Sequence, residues 1–418
     1  MSNKFNPFKP NSPVFTGMFA GREKEINGIA RSLFQTKNGN PNHILLVGER
    51  GIGKTSLLSL ANNFAKNEII WDEQNYNFLT IQINLSEKMT MADLAVSLKI
   101  KVERELEKIN PEITLIKKCW DHILKIEAGG IKYRGSDNMQ DEEPQICEKF
   151  THSLVDTVKK LTQDTAASEV GITQKKDGMV ILIDEADRAN KSLNLGSFLK
   201  NLTEALSVEN CNKILFILAG LPNIRKILLE SHESSLRLFQ EYELPPLSKN
   251  ETDEVITRGI KEGNEASNSK ITIGRKALDL IYIYSEGYPH FVQQIGYSCF
   301  EVNSDEEIDE EDIKKGFFMK GGALDLIGNR GYKKLYYSDI NVDSQREILD
   351  IMADNWNDWV SRDNIIKKFS GKKTALNNGL RALKEKSIIL IKEGERGKYR
   401  LQWASFAFWI KNHKKIQK

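Results

Sequence analysis

Cysteine is scarce in this 418-residue chain: Cys119, Cys147, Cys211 and Cys299 are all there is. None stands at the short spacing of a zinc site or a redox pair. That scatter excludes a disulfide scaffold and reads as core thiols in a reducing compartment. Long apolar runs are missing as well. No stretch of about 18 apolar residues occurs, which excludes a spanning helix. Met1–Pro7 has no apolar core of the kind a secretory leader needs. These absences predict a cytoplasmic protein with no membrane partner. No internal repeat is evident either. What remains is ordinary globular material, 40% hydrophobic and 28% charged. The chain is too long for one compact core and suits two or three domains.

The slight net charge of +2 hides an uneven distribution. Residues 361–418 carry 16 Lys and Arg against 4 Asp and Glu, a local net of +12, and the other 360 residues carry a net of −10. A basic appendage on an acidic body predicts a polyanionic partner for the tail. A solvated basic helix that binds nothing is the alternative.

Four short β-prone apolar runs alternate with helical patterns: His43–Val47, Phe78–Leu85, Met179–Ile183 and Lys213–Leu218. Strands that alternate with helices predict an α/β domain with a parallel sheet. Helices are expected over Thr55–Phe64, Met91–Ile109, Glu148–Leu161 and Ser197–Leu206. The polar stretch 119–146 interrupts the rhythm and reads as an insertion or a mobile loop. After Pro245-Pro246 the strand signal stops, and Lys249–Glu262, Arg275–Ser285, His290–Val302 and Asp309–Phe318 read as a helical domain. The expected division is an N-terminal segment (1–42), a core (43–247), a helical lid (248–340) and a last domain (341–418).

The chemistry concentrates after the first strand. Gly48-Glu49-Arg50-Gly51-Ile52-Gly53-Lys54-Thr55, followed by Ser56, has P-loop spacing. Glycines at 48, 51 and 53 let backbone N–H groups turn inward around phosphate oxygens. The helix that starts near Lys54 points its positive end at the same anion. Lys54 would reach the β- and γ-phosphates, and the Thr55 hydroxyl would ligate Mg2+. The expected ligand is ATP with magnesium, GTP being the alternative. Met179–Ile183 ends in Asp184-Glu185, two carboxylates on the ligand edge of a parallel sheet. Asp184 would hold the metal, and Glu185 would orient and polarise the attacking water. That second acid predicts real turnover and makes the chain an ATP hydrolase.

These residues resemble the AAA+ class of P-loop ATPases and its signal-transducing STAND relatives, over roughly residues 15–320. Archaeal-type origin-recognition and transposition-associated ATPases are similar. Phe19-Ala20-Gly21-Arg22-Glu23 resembles the box that precedes the P-loop, which places Arg22 near the base. Ser235-Leu236-Arg237 resembles the region of the arginine finger. By resemblance, Arg237 completes a neighbour's site in a homo-oligomer, and a surface arginine is the alternative. Gly287-Tyr288-Pro289 resembles the lid turn, which places Pro289 near the nucleotide. No arginine follows that turn, where His290 and Gln293-Gln294 stand instead, and this leans toward the STAND side. Asn223, after the fourth strand, is a sensor candidate or merely a helix cap.

The last 75 residues read as three helices and a β-hairpin, a winged helix. Ser344–Met352 buries Ile348, Leu349 and Met352. A second helix begins around Val360–Ile366 with Ser361 as its cap. On the third, Leu376, Leu380 and Leu383 form the buried stripe, with Lys373, Asn377, Arg381 and Lys384 largely opposite. Ile388–Lys392 and Tyr399–Gln402 make the hairpin. The third helix would enter the DNA major groove, and Arg396 and Lys398 would approach the adjacent backbone or minor groove. Glu393 and Glu395 at the wing tip argue for protein contacts instead. The aromatic tail with Phe406, Phe408 and Trp409 reads as core. Two functions follow as expectations. One is an ATP-dependent switch that assembles on DNA, in replication, transposition or phage defence. The other is a STAND-like sensor whose winged helix makes autoinhibitory protein contacts, with a separate effector chain.

Overall fold

The computed structural model describes residues 5–12, 18–109, 120, 143–163, 175–356, 358–386, 388–392 and 394–416. They form two compact units, one spanning Arg22–Pro245 and one combining Met1–Gly21 with Pro246–Lys418.

The first unit is built on five parallel strands: β1 (His43–Val47), β2 (Phe78–Asn84), β3 (Gly178–Asp184), β4 (Ile214–Gly220) and β5 (Phe239–Glu243). Their spatial order is β2-β3-β4-β1-β5. Every residue of β1, β3 and β4 is buried, the reason their sequences read as unbroken apolar runs. The register brings Val47 beside Gly220 and Asn84 beside Asp184, so the strands finish along one edge. Helices α1 (Glu23–Lys37), α2 (Lys54–Ala65), α3 (Met91–Ile109), α4 (Glu143–Thr162), α5 (Leu195–Val208) and α6 (Ile224–Ser231) accompany the sheet. Leu94, Leu98, Val102 and Leu106 recur at helical spacing on α3 and pack in one apolar cluster with Phe150, Phe198, Ile181 and Phe216.

Two elements here escaped the sequence patterns. β5 reads Phe-Gln-Glu-Tyr-Glu because it is an edge strand, paired only with β1 and largely exposed. Helix α6 is only eight residues long. The insertion expected over 119–146 lies outside the described residues, apart from Trp120 and the start of α4. Trp120 is buried and donates through Nε1 to Thr157 Oγ1 at 2.8 Å. Cys119 lies outside the described residues too; Cys211 and Cys299 are buried free thiols.

The second unit runs α7 (Lys249–Ser267), β6 (Thr272–Ile273), α8 (Arg275–Ser285), α9 (Pro289–Val302), β7 (Glu307–Ile308), α10 (Glu310–Phe318) and α11 (Ala323–Ile327). Wide helical turns over 328–339 lead into α12 (Asp343–Ala353), β8 (Val360–Ser361), α13 (Arg362–Lys368), α14 (Lys373–Glu385), β9 (Ile389–Ile391), β10 (Lys398–Leu401) and α15 (Ala404–Ile416). Ser248 and Glu251 cap α7 reciprocally, the S-x-x-E box its sequence spells. From α12 onward the order is helix, strand, helix, helix, hairpin, with the three strands antiparallel as β8-β10-β9. Val360-Ser361 is therefore a strand rather than the first turn of a helix. Ser361 still caps the helix, accepting from Asn364 N at 3.2 Å. Leu376, Leu380 and Leu383 are buried as expected, and so are Phe406, Phe408 and Trp409. One apolar cluster runs from Phe8 through α9 and α12 to Ile410, so both helical segments share a core. Phe8 seats where Gly259 and Gly296 leave room: a Cβ on either would lie within 2.8 Å of its ring. No described helix is long and apolar enough to cross a membrane.

Gly287 shows why its turn needs glycine. Its φ is +73°, and a Cβ there would sit 2.0 Å from the carbonyl oxygen of Leu247, whose N–H in turn donates to Gly287 O at 2.8 Å. Gly287→Ala is expected to destabilise this unit by about 3 kcal/mol, read as a lower urea midpoint with an unchanged slope.

Candidate functional site

The loop after β1 is clamped at its base. Gly48 N donates to Gly220 O (3.2 Å), and Leu244 N donates to Val47 O (2.8 Å). Gly51 and Gly53 take φ of 78° and 99°, the left-handed turns that curl a backbone around an anion. Gly53 opens α2 with no side-chain cap, so no side chain competes for the first-turn amides, at Lys54, Thr55 and Ser56. Ile52 is buried and anchors the loop.

Lys54 Nζ donates to Gly48 O (2.7 Å) and Glu49 O (2.9 Å), which sets the ammonium at the mouth of the loop. Burial lowers its pKa, and the charges of Asp187, Asp184 and Glu49 partly offset that shift. Thr55 Oγ1 donates to Asp184 Oδ2 at 2.7 Å. The other Asp184 oxygen accepts from Glu185 N at 2.8 Å. Glu185 sits in the left-handed region (φ 53°), uncommon for a non-glycine residue, and its carboxylate pairs with Arg188 at 3.1 Å.

Arg22 is a buried clamp. Its Nη2 donates to Ile52 O (3.3 Å) and to Pro245 O (2.5 Å), tying the loop to the chain that leaves β5. Asp187 does similar work on the other side. Its Oδ1 accepts from Leu221 N at 2.9 Å, and Gly220 lets it approach, since a Cβ there would lie 3.2 Å from Asp187 N. The patterns singled out neither role. The only signal for Asp187 was a third acid in the run Asp-Glu-Ala-Asp.

The donor set fits a nucleotide polyphosphate with a hard divalent cation. Amides and one ammonium would face the anion, while a hydroxyl and a carboxylate already share one hydrogen bond where a metal would take oxygen ligands. Among the described residues no three His, Cys, Asp or Glu converge on a point. A small cation that keeps several waters suits such a site, because Mg2+ needs few protein ligands beside phosphate oxygens.

The remaining candidates stand elsewhere. Arg237 is exposed on a short 3-10 turn that enters β5. Phe239 pairs with His43, so Arg237 lies at the start of the sheet, away from the edge where β1 delivers the loop. It cannot serve the site of its own chain. Asn223 is exposed and its side chain caps nothing on α6. Pro289 is the first residue of α9, in the second unit, a position where its missing N–H costs nothing. Gln293 Oε1 accepts from Lys9 N at 2.9 Å, and Gln294 is buried. Lys373, Asn377, Arg381 and Lys384 are all exposed on α14. Asn377 Oδ1 accepts from Arg362 Nη2 at 2.6 Å, and Arg381 donates to Asn378 Oδ1 at 2.8 Å. In the hairpin Arg396 is exposed, while Lys398 pairs with Glu395 at 2.5 Å and Lys392 pairs with the same carboxylate. The two lysines hold the Glu395 carboxyl down to about 2. Glu393 lies outside the described residues.

Comparison with known proteins agrees with this geometry. The family model "AAA domain" matches residues 37–228. A protein of Methanocaldococcus jannaschii described as an uncharacterized HTH-type transcriptional regulator is 26% identical over 269 residues, 62% of this chain; the chain spans 58% of that relative's length. Among solved structures, the Aeropyrum pernix ORC2 protein in ADPNP–ADP complexes superposes with a TM-score of 0.58 at 13% identity, covering 100% of this chain and 99% of that one. A Walker-type ATPase of Pyrococcus abyssi gives 0.56 at 17% identity, over 97% and 99%. At such identities the likeness is one of fold. Lys54→Ala is expected to weaken ATP binding by about 100-fold, since a desolvated charge-assisted contact is lost; calorimetric titration with ATP and Mg2+ would measure it.

Proposed function

We propose that this chain, which carries an AAA domain of the P-loop ATPase type over residues 37–228, hydrolyses ATP as a molecular switch that assembles on DNA. One observation carries the catalytic half: the 2.7 Å bond from Thr55 to Asp184 brings the two motifs together, with Glu185 next in the chain. Lys54 and the amides of Gly51–Ser56 would hold and neutralise the phosphates. Magnesium, held by Thr55 and by Asp184 directly or through water, would supply charge neutralisation on the phosphate oxygens. Glu185 would orient a water in line with the γ-phosphate and accept its proton. Such a reaction needs little covalent help, so positioning and charge stabilisation account for the rate. Arg237, at the far end of the sheet from its own P-loop, would act on a neighbouring subunit in a homo-oligomer.

The DNA half rests on α14 and on the local charge of +12. The relative described as an HTH-type regulator supports it. Lys373 and Lys384 would contact phosphates and Asn377 and Arg381 base edges, with Arg396 and Lys398 on the adjacent backbone or minor groove. A specific observation also favours the second reading, a sensor whose winged helix contacts protein, an effector chain among the candidates. Glu395 already engages Lys392 and Lys398, which leaves fewer of the hairpin's cations available to a polyanion.

Two experiments separate these outcomes. Glu185→Gln is expected to keep ATP affinity within about threefold while slowing hydrolysis at least 100-fold, roughly the worth of a general base. Full turnover by that variant would refute the role. DNA binding measured across a salt series should weaken with a log–log slope of about −0.9 per phosphate contact. Charge reversal at Lys373, Arg381 and Lys384 should abolish it, and unchanged binding by the triple variant would favour the protein-contact reading.

A further inference from the structure

The residue that opens the lid turn is tied to the C-terminal helix. Glu286 ends α8 in the left-handed region, with φ of 49°. Its side chain leaves that turn, and Oε2 accepts from the backbone N–H of Ala404, the first residue of α15, at 2.5 Å. A helix N-terminus exposes amides that its own backbone cannot satisfy. Here a carboxylate 118 residues earlier does so, and the helix dipole favours its negative charge. Desolvation raises the Glu286 carboxyl above its usual range, against the lowering effects of that N–H and of Arg400.

Two more attachments join the same helix to the segment after α11. The buried hydroxyls of Tyr332 and Ser405 share a 2.6 Å hydrogen bond. Gly328 lies flush against the Trp409 ring, so that a Cβ there would sit 2.1 Å from its Cδ1 and Nε1. Helix α15 follows β10 after only Gln402 and Trp403. Whatever fixes α15 therefore fixes the hairpin. On the other side, Gly287 is pressed on Leu247 and bonded to it, so the turn 286–289 has little freedom of its own.

We propose that Glu286 is a positioning residue that fastens the Gly287–Pro289 turn to α15, so that the lid helices and the winged-helix segment move as one rigid body. A displacement of the lid turn then reaches the hairpin and α14 without passing through a flexible linker. The functional consequence, an ATP-dependent DNA affinity set by this tie, rests on the reading above. The packing claim does not.

Hydrogen exchange on the full chain tests the packing claim directly. Glu286→Ala removes the acceptor, whereas Glu286→Gln keeps a carbonyl oxygen in its place. The alanine variant is expected to exchange about tenfold faster at Ala404–Phe408, the worth of one lost hydrogen bond, while Gly48–Ser56 stays at the wild-type rate. The glutamine variant should stay near wild type. The tie is refuted if the alanine variant leaves Ala404–Phe408 unchanged, or if glutamine loosens those amides equally. Should the alanine variant loosen the whole chain, Glu286→Asp decides instead, since it keeps the carboxylate but falls one methylene short of the Ala404 N–H. It must speed exchange at Ala404 severalfold, and a wild-type rate there overturns the proposal. In a second arm, the ratio of DNA Kd without and with ATP should fall toward one in Glu286→Ala and persist in Glu286→Gln. If the wild-type ratio is itself one, the ATP–DNA reading fails, and the exchange arm still decides whether the tie exists.

Discussion

A single hydrogen bond, from the hydroxyl of Thr55 to the carboxylate of Asp184, holds together a site whose halves lie 129 residues apart. Neither group would be there without the sheet. β1 and β3 run parallel with β4 between them, so the loop after one and the acid at the end of the other emerge on the same edge. Asp184 is 5% exposed, and a carboxylate so shielded requires partners. It finds them in Thr55 and in the N–H of Glu185.

The frame is held from outside as firmly as from within. Arg22 grips the carbonyl of Ile52 and that of Pro245, and Asp187 grips the N–H of Leu221. These clamps join the loop after β1, the chain after β5 and the chain after β4. Such over-determination is what lets Glu185 and Arg22 persist at positive φ, conformations that cost free energy wherever packing does not enforce them. Lys54 is placed in the same way: its half-buried ammonium bonds to Gly48 O and Glu49 O.

What the patterns revealed and what they hid divide along physical lines. The buried strands and the loop after β1 were legible because burial on both faces writes continuous apolar runs, and because phosphate cradling demands glycine at particular positions. β5 was hidden because an edge strand is free to be polar. β8 was hidden because two residues carry no period. The clamps of Arg22 and Asp187 were hidden for another reason: each bonds to a backbone group, and a backbone partner has no identity that a sequence pattern can show. The attachment of α15 through Glu286 is of this kind too. Composition announced an aromatic core near Trp409 but not the glycine at 328 that receives its ring.

The basic C-terminal end shows how far charge counting reaches. Sixteen cationic side chains against four acids describe a tail, not a surface. In the folded hairpin one glutamate draws in both Lys392 and Lys398, and their field at long range is reduced by its charge. On α14 the cations Lys373, Arg381 and Lys384 are exposed along a helix whose opposite stripe is buried, so they stand together on one face. Arg362 adds its guanidinium beside them by bonding Asn377, and its N–H meets Gly397 O at 2.7 Å, linking that face to the hairpin turn. The helix therefore presents three exposed cations, whereas two of the hairpin's lysines are engaged by Glu395. A polyanion docking there would meet a surface shaped by Arg362 as well as by the residues that helical spacing alone picks out.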